Sequence, residues 1–407
     1  MSIAHSQLRT FLRLYRSLEA HFRRDPGLSA RIEAVLRRER GIGSRDRRLY
    51  RELLYTAVRH LPWVEGADDM RLAGIVAALA AETPSSSAFK AAFAQPALVT
   101  VLDRALLLPG WFHDECPRAF EPPLADVLET RPPLWLRVRP GAQARVLGEF
   151  ERMGWPCRVS DVLDGALRVD AQVDVTRTES YSAGWVEVQD LGSQMILAAL
   201  GLGSGGRWLD ACAGAGGKTL QLGDLLGNEG TIDASDVRPD ALAELARRAR
   251  RAGFDVEGPG LEPPDLEGEE GRSAGARISL GAMGSGYDGV LVDAPCSGSG
   301  TWRRAPHLKW TSTPAWVQRC ARRQSALLRE FAERVRPGGR LVYATCSLCR
   351  SENEGVAEAF LAARTEFKAV APARTFGFEA GPGWMTIDPA RHDSDGYFVA
   401  QFVRSPA

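Results

Sequence analysis

The hydrophobic positions change period along the 407-residue chain. From Ser6 to Arg38 they fall at helical spacing, with Leu8, Phe11, Leu12, Tyr15, Leu18 and Phe22 on one stripe. Between Arg45 and His60 the pattern returns with Leu49, Leu53, Leu54 and Val58. Helices are therefore predicted as far as about residue 108, with a loop at Thr83-Pro-Ser-Ser-Ser. Leu108-Pro-Gly-Trp, followed by Pro117, Pro122 and Pro123, marks a boundary, because proline ends helices and presets turns. Then come a strand at Leu134–Arg139, a helix through Ala142–Met153, and short strands at Cys157–Val159 and Ala166–Val169. That β-α-β-β order suffices for a small ferredoxin-like module.

From Arg207 onward, strands alternate with helices. Strands are predicted at 207–210, 230–236, 287–293 and 340–346, and helices at 218–226, 239–252, 314–335 and 352–363, with Pro337-Gly-Gly turning the chain between the last two. Such alternation implies a mostly parallel, doubly wound sheet whose ligand site lies at the carboxyl ends of the strands.

Composition narrows the class. A hydrophobic fraction of 44% and a charged fraction of 25% are those of a globular protein. No apolar run is long enough to cross a bilayer, and arginines interrupt Met1 to Ala20 where a secretory signal would need an apolar core. The expectation is a cytoplasmic protein without membrane or metal, working as a monomer. Seven scattered cysteines read as reduced thiols. Net charge is zero, yet residues 1–60 hold 14 arginines against 6 acidic residues, an excess that suits either phosphates or a solvated helical surface. Lysine occurs only four times, at 90, 218, 309 and 368, so a lysine inside a motif points to a need for a compact ammonium.

Three strings carry the chemistry. Asp210-Ala-Cys-Ala-Gly-Ala-Gly-Gly-Lys-Thr219 is a glycine loop between a strand and a helix, where the backbone approaches a ligand closely and free amides face an anionic group. It is not a P-loop, because the first glycine of that pattern would fall on Cys212. With Asp236 closing the next strand, the layout matches S-adenosylmethionine binding, Asp236 accepting hydrogen bonds from the ribose. Asp293-Ala-Pro-Cys296 and Ala344-Thr-Cys346-Ser place two cysteines at strand ends. Methylation of cytosine at carbon 5 needs a thiolate on carbon 6 to make the ring nucleophilic, and a base to remove the carbon 5 proton afterwards. Singly, a strand-end cysteine is more often a small buried hydrophobe.

Cys212–Thr219, Asp293–Trp310 and Tyr343–Leu348, in this order, resemble the RNA cytosine-5 methyltransferase (Sun) family, most closely the bacterial 16S rRNA enzymes of the B type. Val188-Gln-Asp-Leu-Gly-Ser-Gln and Asp395-Gly-Tyr-Phe-Val-Ala are similar to family landmarks, and Gly43–Leu53 is similar to a NusB-like helical domain. The resemblance implies an α/β fold: a Rossmann-like class I S-adenosylmethionine-dependent methyltransferase domain with a mostly parallel seven-stranded sheet, an N-terminal all-α NusB-like domain and a small α+β ferredoxin-like module. The corresponding expected segments are 181–407, 1–125 and 126–180, the last two binding RNA. It further implies Cys346 as nucleophile and Cys296 as the residue assisting release. Asp293 would hold the target base, the methionine end of the cofactor, or both, and Lys218 would contact the cytosine. Cys212, Ala213, Gly214, Ala215, Gly216, Gly217 and Lys218 would bind S-adenosylmethionine, with Asp236 on the ribose and Asp293 nearby. The substrate would be RNA, ribosomal in preference to tRNA; the alternatives are a non-catalytic RNA-binding assembly factor and a small-molecule or protein methyltransferase.

The chain departs from the family between Glu257 and Glu270, an acidic Gly/Pro-rich run that reads as an exposed loop. The next strand, Ala276–Leu280, ends at Gly281 without the carboxylate that relatives place near the adenine. The C-x-x-C pair Cys346/Cys349 lacks a second pair and reads as incidental, and His307 reads as structural or RNA-facing.

Overall fold

The computed structural model describes residues 3–39, 41–170, 173–259 and 275–406, with Asn228 in backbone only. They form two compact units: Met1–Arg131 with Thr301–Pro314, and Pro132–Gly300 with Ala315–Ala407.

The first unit is helical. The long apolar run expected from Ser6 divides into helices Ile3–Leu18 and Leu28–Arg38, with Pro26 and Gly27 in the break. Helices Ser44–Arg59, Asp69–Leu79 and Ser87–Phe93 complete the main bundle. Asp68 caps the fourth of these by accepting from the Met70 and Arg71 amides, which satisfies donors that no helical carbonyl reaches. Phe11, Leu14, Leu53, Leu54, Ile75 and Phe89 share one core. The segment 301–314 is built into this unit. Trp302 is fully buried with its ring 4.5 Å from Phe112, and the Lys309 ammonium, also buried, bonds Glu129 at 3.2 Å and the Arg59 carbonyl at 3.0 Å. His307 is buried too, its Nε2 3.0 Å from the Pro26 carbonyl, so its place is structural.

The second unit holds two sheets. Strands β1 (Leu134–Val138), β2 (Cys157–Val159), β3 (Ala166–Val169) and β4 (Val186–Val188) form an antiparallel sheet in the order β2-β3-β1-β4. With helices Gln143–Arg152 and Glu179–Ser182 between strands, this is the ferredoxin-like alternation. The larger sheet contains β5 (Gly206–Asp210), β6 (Gly230–Ala234), β7 (Val256–Glu257), β8 (Arg277–Leu280), β9 (Tyr287–Asp293), β10 (Val335–Thr345), β11 (Phe367–Ala369), β12 (Trp384–Ile387) and β13 (Tyr397–Arg404). Its order is β11-β13-β10-β9-β5-β6-β8-β7, with β12 paired to β13. Strands β5 to β10 pair in parallel, and β13 runs antiparallel to β10, β11 and β12. The expected seven strands are present, with two short additions, β7 at the edge and β12 on β13.

Two local readings change. Pro337-Gly-Gly is not a turn before the strand: β10 begins at Val335, and its register with β9 shifts between Val335 and Arg340, so these residues form a bulge inside it. A Cβ on Gly339 would stand 2.9 Å from the carbonyls of Arg336 and Tyr287, a closeness only glycine permits. The acidic run from 257 to 270 lies, beyond Pro259, outside the described residues. No helix among the described residues is long and apolar enough to cross a membrane.

Candidate active site

Four parallel strands lie side by side in the order β6-β5-β9-β10, and register aligns their carboxyl ends. Asp210 stands opposite Ala234 on one side and Leu291 on the other, and Asp293 stands opposite Ala344. These ends and the loops leaving them carry the glycine loop, Asp236, Asp293, Cys296 and Cys346, where open α/β sheets bind their ligands.

The two cysteine loops are fastened backbone to backbone. Gly300 N–H donates to the Cys346 carbonyl at 3.0 Å, and Gly396 N–H to the Gly300 carbonyl at 2.8 Å. The Sγ atoms of Cys296 and Cys346 thereby come to 3.3 Å, both half-buried. Charge distinguishes the sulfurs. Cys346 falls below the ordinary thiol range because it accepts a hydrogen bond from Cys296, with the Lys218 ammonium adding attraction against burial and the charges of Asp293 and Glu352. Cys296 is raised well above it by the same hydrogen bond and by burial. Of the two, Cys346 is the thiol that gives up its proton more readily.

Lys218 stands beside this pair. Its Nζ bonds Asp293 Oδ2 at 2.7 Å and lies 5.7 Å from the centre of the Tyr397 ring. Burial opposes its charge, but the Asp293 carboxylate overcomes that and raises its pKa, so the ammonium is fixed in place.

The glycine loop 212–217 follows β5. Gly214 and Gly216 have φ of +53° and +86°, and a Cβ on Gly216 would meet Leu245 at 2.6 Å. Both values lie where side chains are disfavoured. Gly216 also precedes helix Gly217–Leu226, whose first turn has no side-chain cap, and a Cβ on Gly217 would meet nothing within 4 Å. The result is open space over free amides. Asp236 accepts from Gly214 N–H at 2.9 Å, and its other oxygen accepts from Arg238 N–H and Nε at 2.9 and 3.0 Å. The Arg238 hydrogen bond leads the causes that hold Asp236 below the usual carboxylate range. Arg238 is 68% exposed, so this pair is weak and yields readily. Asp210 is buried: Thr219 bonds one oxygen at 2.7 Å, while the other has no hydrogen-bond partner. Burial pushes its pKa up to about 7.

S-adenosylmethionine fits these residues. Its ribose diol suits Asp236, its ammonium suits the orphaned Asp210 oxygen, and its carboxylate suits the uncapped amides. Val237, 83% exposed beside Asp236, offers an apolar face to the adenine. Strand β8 ends at Leu280 and Gly281 as the sequence indicates, so no carboxylate stands there.

Of the residues expected from the sequence, Cys296 lies against Cys346 and Lys218 against Asp293, with the glycine loop and Asp236 in the loops that follow the neighbouring strands β5 and β6. The sequence reading misses Tyr397 and Glu352. Tyr397 lies inside the Asp395–Ala400 landmark, and Glu352 six residues after Cys346 is an acidic residue beside an apolar helix, a signal open to being read. The Val188–Gln194 landmark is structural: Gln189 bonds Arg137 and Gln221 at 2.9 and 2.8 Å, tying β1 to the helix after the glycine loop.

A parallel sheet with this loop and this second-strand aspartate defines an S-adenosylmethionine-dependent methyltransferase. A family model described as 16S rRNA methyltransferase RsmB/F matches residues 197–403. The chain is 30% identical over 313 residues to the ribosomal RNA small subunit methyltransferase B of Enterobacter sp. (strain 638), covering 74% of this chain and 68% of that one. It is 30% identical over 310 residues to the Salmonella typhi protein of the same name, covering 74% and 67%. Among solved structures, PH0851 superimposes with a TM-score of 0.72 over 99% of both chains at 22% identity. NSun6 from Pyrococcus horikoshii with SFG gives 0.57 over 69% of this chain and 93% of that one, at 18% identity. These two likenesses bear on the fold. The chain belongs to the 16S rRNA methyltransferase RsmB/F family, and is an RNA methyltransferase dependent on S-adenosylmethionine.

Proposed function

We propose that the protein methylates carbon 5 of a cytosine in small-subunit ribosomal RNA, in the cytoplasm, through a covalent Cys346 adduct. The observation that carries this reading is the 3.3 Å separation of Cys296 and Cys346, with Cys346 the more acidic thiol and Lys218 at hand. A methyltransferase acting on an already nucleophilic atom needs no such pair.

Cys346 thiolate adds to carbon 6, and electron density moves through the ring toward carbon 5 and the pyrimidine carbonyl. Lys218, held by Asp293, steadies that density, and the remaining lone pairs of Asp293 orient the base through its exocyclic amine. Residues 212–217, Asp210 and Asp236 hold S-adenosylmethionine, which supplies an electrophilic methyl group when bound. Once Cys346 sulfur is bonded to carbon, it no longer holds the Cys296 proton by charge. The hydrogen bond and charge of Cys346 that raise Cys296 then vanish, leaving burial and the Glu352 charge, and Cys296 passes its proton to solvent water. Cys296 thiolate then takes the carbon 5 proton, the C5–H electron pair restores the C5–C6 double bond, and Cys346 leaves as thiolate.

RNA recognition fits the helical unit. Arg13, Arg16, Arg23, Arg31 and Arg51 are used in ion pairs within it. Arg9, Arg24, Arg37, Arg38 and Arg48 are exposed outside those pairs, positioned to neutralise phosphates.

Cys296→Ala protein incubated with S-adenosylmethionine and small-subunit rRNA is expected to give a shifted protein–RNA band on a denaturing gel, lost in the Cys296→Ala/Cys346→Ala double variant. A band with tRNA alone would change the substrate. No band with either RNA, while wild type transfers methyl groups, would overturn the covalent route.

A further inference from the structure

Glu352 is completely buried, and among the described residues the hydrogen bonds to its carboxylate come from neutral groups, the Cys320 thiol included. Oε1 accepts from the Ser297 N–H at 2.8 Å and the Gln324 amide at 3.0 Å, and Oε2 accepts from the Ser347 hydroxyl at 2.7 Å and the Ser297 hydroxyl at 2.5 Å. Ser297 adjoins Cys296, and Ser347 adjoins Cys346. The third partner, Gln324, lies on helix Pro314–Ala332 and also bonds the Pro295 carbonyl at 3.1 Å. The neighbouring bonds extend the clamp: Ser299 to Ser347 at 2.9 Å, Leu348 N–H to Ser299 at 2.8 Å, and Cys349 N–H to Ser347 at 3.0 Å. Glu352 itself is anchored by the Tyr343 hydroxyl on its carbonyl, and Asn353 bonds Thr345 and the Ser347 carbonyl at 2.6 and 2.9 Å.

Burying a carboxylate without a counter-charge is costly, and a well-packed apolar side chain would serve stability better. A group that accepts three bonds at once from two separate loops, and a fourth from a helix, does what an apolar side chain does not: it fixes one loop against the other. We propose that Glu352 is the positioning residue of the cysteine pair, its single carboxylate clamping the Cys296 loop to the Cys346 loop so that the two sulfurs stand in proton-transfer range. This rests on the roles given above to Cys346 and Cys296. Its charge has a second effect, because it raises both thiols and so opposes ionisation of the whole pair.

Two variants separate reach from charge. In Glu352→Gln the amide oxygen still accepts from Ser297 N–H and Gln324, and the serine hydroxyls turn to accept from the amide nitrogen, so the clamp survives without its charge. In Glu352→Asp the charge survives but the reach is lost. The expected result is that Glu352→Asp lowers kcat by about 10²-fold, with KM for RNA and S-adenosylmethionine unchanged, since a displacement of ~1 Å between reacting groups costs that much. With Cys296 displaced, the Glu352→Asp protein also accumulates the denaturation-resistant RNA adduct although both cysteines are intact. Glu352→Gln retains most of kcat, and the acid limb of its pH profile moves to lower pH. Thermal unfolding and cofactor titration confirm that each variant is folded.

A Glu352→Asp enzyme with wild-type kcat, or one with lost kcat but no adduct, overturns the inference, as does a Glu352→Gln enzyme less active than Glu352→Asp. The Cys296→Ala gel keeps the two readings apart. If that protein forms no adduct, the covalent route itself has failed. If it forms one while Glu352→Asp behaves as wild type, only the clamp has failed.

Discussion

At the scale of the residue, burial and neighbours decide chemistry that residue type leaves open. The chain has seven cysteines, and Cys346 is made more acidic than its partner by what surrounds it: the Cys296 thiol at 3.3 Å and a fixed ammonium nearby. Asp210 shows the converse. Burial raises its pKa from 3.8 to about 7, so the folded protein holds a proton there that the unfolded chain has released. Stability contributed by the neutral carboxyl is present below the unfolded pKa near 4 and is lost as pH rises through about 7. Asp210→Asn keeps the bond from Thr219 and carries no charge. In differential scanning calorimetry the ligand-free variant should therefore match wild type near pH 4 and exceed it at pH 8, by on the order of 3 kcal/mol. Its affinity for S-adenosylmethionine should fall, the ammonium having lost an acceptor. A stability gap that stays constant with pH would show that burial of this charge is not the cause.

At the scale of the element, the site depends on places where backbones touch. Gly300 lies where the Cys296 loop crosses Gly396, and a Cβ there would overlap the Gly396 carbonyl oxygen and stand 2.9 Å from that of Cys346. Gly300→Ala should cost about 3 kcal/mol in urea unfolding and lower kcat, because relief of the overlap pushes the two cysteine loops apart. Normal stability in that variant would mean that the loops yield without effect. The elements themselves were legible to different degrees. Helix Gly217–Leu226 and strands β5, β6, β9 and β10 announce themselves by apolar runs bounded by glycine or aspartate. The bulge in β10 does not, since Pro-Gly-Gly reads equally well as a turn until β9 is laid beside it. Strands β11 and β12 are three and four residues long, too short for a period, and exist because the edge of β13 away from β10 is long enough to pair β12 at 397–400 and β11 at 402–404.

At the scale of the molecule, residues 301–314 belong by contact to the helical unit although β9 and the Cys296 loop precede them. They bring Trp302, Arg303 and Lys309, all nearly or fully buried, to a bundle otherwise made of residues before 132. Lys309 partners Glu129, whose carboxyl burial drives up in pKa and the lysine pulls back. A fragment comprising residues 1–131 lacks these groups, leaving an apolar gap and an uncompensated carboxylate. A synthetic peptide of residues 301–314 should bind it and raise its Tm, and the same peptide with Lys309 replaced by alanine should do so far less. Equal Tm with and without peptide would mean that the segment adds no stability. What the sequence determined by itself was local: helical stripes, strand runs, the turn chemistry of the glycine loop, and the motif strings around Cys212, Cys296 and Cys346. These depend on side-chain period and on backbone conformations that neighbouring residues impose. Only tertiary structure decided that Cys296 and Cys346 meet, that Glu352 lies between their loops, that burial raises the Asp210 carboxyl and that 301–314 joins the helices. Each of those follows from contacts between residues far apart in the chain, and from the loss of water they bring about, which no local pattern encodes.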